Sequence, residues 1–313
     1  MAKAKKRSSK AGLRLGLCCK FRDQPIKFRD TTVRAMSRLE RDAALARLSE
    51  LCLSNAQALH EAIDWCADHG IGSFRVMSQI LPLKTHPEQG YEVGDLPQGE
   101  DIIRAFEACG ELAKRRDVRT LFHPDQFVVL NSPREEVVAA SIAELEYQAE
   151  VAEWIGADVL IVHGGGAFGD KTAALERFAA NLGRLSPRAR SRLAVENDEI
   201  LYTPTDLLPL CGAEGLPLIY DVHHHRCLPD GLTVEEATEL AIATWNREPL
   251  FHISSPLDGW EGARPRRHHD FIDAADFPAC WLGRSLTVEV EAKAKEAAVL
   301  ELLAALRERT SSS

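Results

Sequence analysis

Histidines and carboxylates recur in this chain where apolar runs stop. His123 closes RTLFH and His163 closes ADVLIVH. Glu196 lies near the end of RLAVEN, Asp221 near the end of PLIYDV, and His252 late in PLFHIS. Glu291 immediately follows SLTVEV. Two more histidines, His224 and His269, stand in the segments after the sixth and seventh of these runs. A lone histidine at the end of an apolar run is ordinarily just a hydrogen-bonded side chain. Six ligand-type residues in register are different, because burying that many carboxylates without cations is very costly. Mixed imidazole and carboxylate donors suit Mn2+ or Zn2+ better than Ca2+ or Mg2+, which prefer oxygen shells. We expect two or three divalent ions, with Mn2+ the first choice and Zn2+ the second. A carboxylate such as Glu196 can bridge two ions, and clusters of this kind hydrolyse phosphoesters. Glu196, Asp221 and Glu291 are therefore the candidate catalytic carboxylates.

Local motifs extend these positions. In HPDQF (123 to 127) the proline stops regular structure, leaving Gln126 and Phe127 free to reach outward, as a pair entering a base stack would. HGGGAFGDK (163 to 171) follows a ligand with a glycine-rich turn that suits either phosphate approach or a tight connection. ENDE (196 to 199) and DVHHH (221 to 225) complete the set. Within the histidine triplet we expect one ligand and two supporting neighbours, choosing His224 first and His223 next. RPRRHHD (264 to 270) places cations such as Arg267 beside His268 and His269, which would suit a phosphate backbone if it lies by a metal site.

The ligands need a frame that gathers run ends, and the alternation of short apolar runs with longer amphipathic ones indicates repeated β-α units around a parallel sheet. Eight strand candidates stand at 13 to 18, 72 to 77, 119 to 123, 157 to 163, 192 to 197, 217 to 222, 249 to 254 and 285 to 290. This count predicts a single-domain (β/α)8 barrel, whose active site forms where the strands end. The strand interiors read as Val, Leu and Ile. The first helical stretch, 37 to 69, is the longest and should contain one break, while the seventh helix should be short and weak. The basic start MAKAKKRSSK and the final RTSSS are expected to be loose, which puts the barrel at 13 to 308, a tail at 1 to 12 and a loose end at 309 to 313.

Neither a spanning helix nor a secretory signal is read, so a cytoplasmic protein is expected, without membrane partners. The eight cysteines are scattered with no CxxC pair and read as reduced core thiols. The formal net charge of -9 runs against nucleic-acid binding. Divalent ions held by the same acids would reverse the local sign.

Taken together, RLGLC, FRV with THP at 85 to 87, HPDQF, LEYQAE, HGGGAFGDK, ENDE, D-x-HHH, HIS and VEAKAKE resemble the UV damage endonucleases over residues 13 to 305. That resemblance implies a metal-dependent repair enzyme acting, as a monomer, on double-stranded DNA with damaged bases. It would nick 5′ to pyrimidine dimers and 6-4 photoproducts and leave a 3′-hydroxyl and a 5′-phosphate, with abasic sites an open substrate class. It also implies that Glu196, Asp221, His252 and Glu291 surround a central ion, that His123 and His163 share Glu196 with a second, and that His224 and His269 hold a third. Gln126 and Phe127 become the lesion-probing pair, and His86, Lys171, Lys293 and Arg267 become DNA contacts, with the enzyme on the nucleoid when it acts. The family more often has Tyr where Phe127 stands, and some relatives have Lys where Leu250 stands. The first loop lacks the Tyr and Asn of relatives and offers Phe21, Arg22 and Lys27 instead.

Two rivals use the same frame. An abasic-site nuclease of the endonuclease IV type would need the same cluster without tolerating a bulky dimer, a distinction that HPDQF addresses. A sugar isomerase or epimerase would need fewer ligands than the eight read here.

Overall fold

The eight apolar runs form eight parallel strands: β1 (Leu13–Cys18), β2 (Ser73–Val76), β3 (Arg119–Phe122), β4 (Leu160–His163), β5 (Leu193–Glu196), β6 (Leu218–Asp221), β7 (Leu250–Ile253) and β8 (Leu286–Val290). A computed structural model describes residues 12–311, so the expected tail at its first eleven positions lies outside the described residues. Each strand pairs with the next, and β8 closes on β1 in a register running from Leu13 with Leu286 to Leu17 with Val290. The protein is a (β/α)8 barrel.

Helices connect the strands except between β7 and β8. There the expected short helix is replaced by two 3-10 turns, Ala274–Asp276 and Ala279–Trp281. Pro256, Pro265 and Pro278 lie in this connection and deny it a run of amide donors. The first helical stretch lacks the break expected within it: Arg41–Asp68 is one continuous helix, preceded by a short turn of helix at Val33–Met36. The last helix runs from Glu296 to Ser311, past the boundary expected at 308. Among the described residues no helix is long and apolar enough to cross a membrane. All eight cysteines are free thiols, five of them buried.

Side chains two apart on a strand share a face. Phe122, Val162, Val195, Tyr220 and Phe251 face outward into the main core, packed under the helices with Leu59, Phe106 and Phe178. The alternate positions face the lumen, where Leu121, Val159, Ile161, Ala194, Ile219 and Leu250 form a separate small apolar plug. Each lumen residue that lies two positions before a ligand candidate puts that candidate on the same face, one layer nearer the C-terminal mouth. Leu250 belongs to this plug, fully buried beneath His252.

The other side of the lumen departs from the expected apolar interior. On β2, Arg75 points inward: its Nε donates to Glu289 Oε2 at 2.5 Å and its Nη2 to Glu291 Oε1 at 2.7 Å. Gly16 makes room for this pair, since a Cβ there would stand 2.6 Å from Glu289 Oε1. Two ionised groups out of water are tolerable only as partners. Replacing Arg75 with Met should therefore cost about 3–5 kcal/mol of folding free energy, and adding Glu289→Gln should restore a measurable part of it. Chemical denaturation checks this; a loss under about 1 kcal/mol for the single variant would contradict the pairing.

Candidate metal centre

Glu196 ends β5 and its carboxylate is 1% exposed. One oxygen, Oε2, stands 2.9 Å from His123 Nε2 and 3.9 Å from His163 Nε2. The other, Oε1, stands 2.8 Å from His252 Nδ1 and 3.5 Å from His224 Nδ1. Four imidazoles from four elements thus converge on one carboxylate. Ligand atoms fall within 4.8 Å of one another in three overlapping groups: His123 with His163 and Glu196; His123 with His252 and Glu291; and Glu196 with Asp221 and His224.

Short local structures aim these side chains. After His123, Pro124 turns the chain and its carbonyl faces His123 Nδ1 at 3.0 Å, which leaves Nε2 for Glu196. Asp221 caps the helix Val222–Cys227 through Oδ1, which accepts from the His224 amide at 2.8 Å. Asn197 ties the ends of β5 and β6 together, donating to the Asp221 carbonyl at 3.0 Å and accepting from its amide at 2.9 Å.

The electrostatics call for cations. Burial alone pushes the Glu196 carboxyl up, but the field of His252 and His163 and hydrogen bonds from His123 and His252 outweigh it and hold it well below the usual range. Glu291 behaves alike: burial raises it, and Arg75 and then His252 pull it down further. Burial opposes charge on His224, yet Asp221, Glu196, Glu199 and Glu291 push it up to about 10. The carboxylates raise His224 and His252 while burial lowers His123, so imidazole compensates the carboxylates only in part, and a metal ion can take over that role. One orphaned polar atom at the cluster, Asp221 Oδ2, fits such an ion. Asp221 Oδ2 and His163 Nδ1 are buried without hydrogen-bond partners among the described residues.

The histidine triplet resolves by position. His224 joins the cluster. His223 is buried with Nδ1 3.3 Å from the Ser254 carbonyl. His225 links Tyr220 Oη and Asp230 Oδ1 at 2.8 Å each, a structural bridge.

The other histidine pair requires a correction. His269 does not face the cluster: its Nδ1 accepts from the Phe271 amide at 2.9 Å, and its ring lies in a different hollow with Ser255, Trp260 and Asp276. His268 takes the inward position, with Nδ1 3.9 Å from Glu291 Oε2 and its ring centroid 6.3 Å from that of His224. The bridge that pairs Pro256 with His268 sets this choice.

A cavity of about 440 Å3 opens over the cluster, lined by His123, His163, Glu196, His224, His268, Glu291 and Gln126. Phe127, 77% exposed, borders a neighbouring hollow of about 470 Å3 that also holds His86. Lys293 lines a smaller one beside Glu291 and His268. Arg267 is exposed one residue from His268. Lys171, expected on DNA, is committed elsewhere: Nζ meets Asp206 Oδ2 at 2.5 Å and lies over the Tyr202 ring. Lys84 is likewise held by Glu92 at 3.0 Å. The first-loop residue Phe21 packs edge-on against Trp65.

Comparison with known proteins agrees with this arrangement. The family model of UV-endonuclease UvdE matches residues 13–312. The chain belongs to the UV-endonuclease UvdE family. A UV DNA damage endonuclease of Deinococcus radiodurans is 37% identical over 306 residues, covering 92% of this chain and 94% of that protein. A UV-damage endonuclease of Neurospora crassa is 35% identical over 275 residues, covering 82% of this chain; the match spans only 41% of that longer protein. The solved structure of SacUVDE superposes with a TM-score of 0.85 at 28% identity, over 95% of this chain and 99% of that one. Endonuclease IV from Thermus thermophilus, at 16% identity and a TM-score of 0.62, shares the fold, covering 96% of this chain and 100% of that one.

Within this family member, the two adjacent histidines separate experimentally. His268→Ala should weaken Mn2+ binding at least about tenfold, as loss of a site partner does, while His269→Ala should leave it within about twofold. Equilibrium dialysis with metal analysis of both variants decides between them; the reverse order would restore His269 to the site.

Proposed function

We propose that this chain is a divalent-metal-dependent DNA endonuclease that nicks the phosphodiester 5′ to UV photoproducts, leaving a 3′-hydroxyl and a 5′-phosphate. One observation carries this reading: in a UvdE-family chain, the buried Glu196 carboxylate sits among four imidazoles, between Asp221 and Glu291, at the open mouth of the barrel. When bound there, Mn2+ or Zn2+ ions ionise water near neutral pH and neutralise charge on the attacking and leaving oxygens.

The chain's own residues supply the rest. Glu196, Asp221, His252 and Glu291 would hold a central ion, His123 and His163 a second, and His224 with His268 a third. Arg75 keeps Glu291 ionised and turned toward the cluster. Gln126 lines the metal cavity and Phe127 the hollow next to it, so one dipeptide spans the route by which a duplex reaches the ligands. Phe127 offers an apolar face with little of it buried by protein, as a side chain entering a base stack requires. Selection would rest on the lower cost of unstacking DNA at a lesion than at intact pairs. The net charge of -9 fits such a substrate because much of the acidity at the mouth consists of ligands that cations neutralise.

The test is a labelled duplex carrying one cyclobutane pyrimidine dimer, incubated with Mn2+ beside undamaged and abasic-site duplexes. A nick immediately 5′ to the dimer is expected, falling at least about a hundredfold in Glu196→Ala. Cutting of the abasic duplex alone would point to an abasic-site nuclease. No cutting with any of several metals would turn attention to sugar substrates.

A further inference from the structure

Among the described residues five large apolar side chains are exposed, and three of them crown successive barrel loops: Phe127 after β3, Phe168 after β4 and Ile200 after β5. These loops begin at the candidate ligands: His123 is the first residue after β3, and His163 and Glu196 are the last of β4 and β5. Apolar groups clustered at the mouth of a polar cavity mark a contact surface, since scattered exposure would not follow the strand order.

Phe168 and Ile200 are 50% and 57% exposed. Both are held out by their surroundings. Phe168 adopts φ +47, the left-handed region that a bulky aromatic residue enters only at a cost. Its ring packs on Gly166, where a Cβ would stand 2.9 Å from the ring tip, and the Arg177 guanidinium lies 5.8 Å from its centroid. Arg177 is itself fixed by the Asn131 carbonyl at 3.1 Å. Ile200 is propped by Asp198, whose carboxylate accepts from the amides of Ile200 at 2.8 Å, Leu201 at 2.5 Å and Tyr202 at 3.1 Å. Gly166 and Ile200 both line the cavity over the metal ligands. Ile200 thus stands in the wall of that cavity, and Phe168 packs on another of its wall residues.

We propose that Phe168 and Ile200 form an apolar rim that packs against the base and deoxyribose of an unstacked nucleotide beside the scissile phosphate, further round the mouth than Phe127. This rests on the endonuclease reading above, because base and sugar faces are the apolar parts of a DNA substrate. Phe168 presents a half-exposed ring, with Gly166 at its tip and Arg177 near it, and a base stacks on an aromatic ring without regard to its identity. Arg177 acts as a positioning residue for the ring. Backbone strain at Phe168 persists because the contact needs the ring outside.

The experiment uses the full chain loaded with Mn2+ and the dimer duplex. In Phe168→Ala with Ile200→Ser, the KM for the dimer duplex should rise about tenfold or more. Metal content and unfolding midpoint should stay as in the unsubstituted chain. Phe168→Tyr should restore the affinity, because the ring remains. A Phe168→Trp variant gives a readout independent of cleavage: the emission it adds should be quenched when damaged duplex binds. Nicking by the double variant within twofold of the unsubstituted chain, or emission indifferent to DNA, would overturn the rim. If the unsubstituted chain nicks no damaged duplex yet that emission is quenched, the rim stands and the endonuclease reading falls. If neither occurs, both fall.

Discussion

A carboxylate with almost no access to water, shared by four imidazoles, is the constraint to which the rest of this protein answers. Glu196 cannot stay ionised inside a barrel unless positive charge surrounds it. Within the chain itself the field of His252 and hydrogen bonds from His123 and His252 hold it ionised. Asp221 and Glu291 add two further carboxylates within the same few ångströms, leaving Asp221 Oδ2 buried with no partner among the described residues. This is an arrangement prepared for cations rather than for hydrogen bonds. Its folding cost is offset by the apolar plug beneath the cluster and by the ion pairs of Arg75 with Glu289 and with Glu291 at the cluster's edge.

Strand geometry turns that local demand into a site. Because lumen-facing positions alternate, one residue after the apolar plug layer on each of β3 to β7 is hidden in the wall and the next emerges at the mouth. The ligands are thus delivered from separate strands to a common level, fixed by main-chain hydrogen bonds that no single loop can distort. The loops then specialise. The one after β3 carries Gln126 and Phe127 outward, and the one after β5 uses Asn197 to lock Asp221 in place.

Much of this was legible in the chain itself. All eight strands lie at or within the runs read as strands, because a buried parallel strand needs a short, nearly continuous apolar stretch and cannot hide it. The candidate ligands at the run ends were visible for the same reason: a charged or imidazole side chain where an apolar stretch stops is conspicuous. Arg75 and Glu289 escaped because each looks like an outward residue within its run, and only the closure of β8 on β1, which flanks β2, reveals that they face each other. His268 and His269 could not be separated, since a loop of prolines and glycines has no period to say which neighbour points in. The partner of Lys171 within the chain, Asp206, lies 35 residues on and carries no signal in the local motif. Phe168 and Ile200 carry no signal in sequence, for an apolar residue in a loop is ordinarily half-buried.

The central claim is that Glu196 is the shared ligand of a metal cluster. Anomalous diffraction from crystals soaked in Mn2+, recorded on both sides of the manganese absorption edge, tests it most directly. At least two peaks are expected within bonding distance of the Glu196 carboxylate, one toward His123 and His163 and another toward Asp221, His252 and Glu291. Crystals of active enzyme with no manganese peak within bonding distance of Glu196 would contradict it.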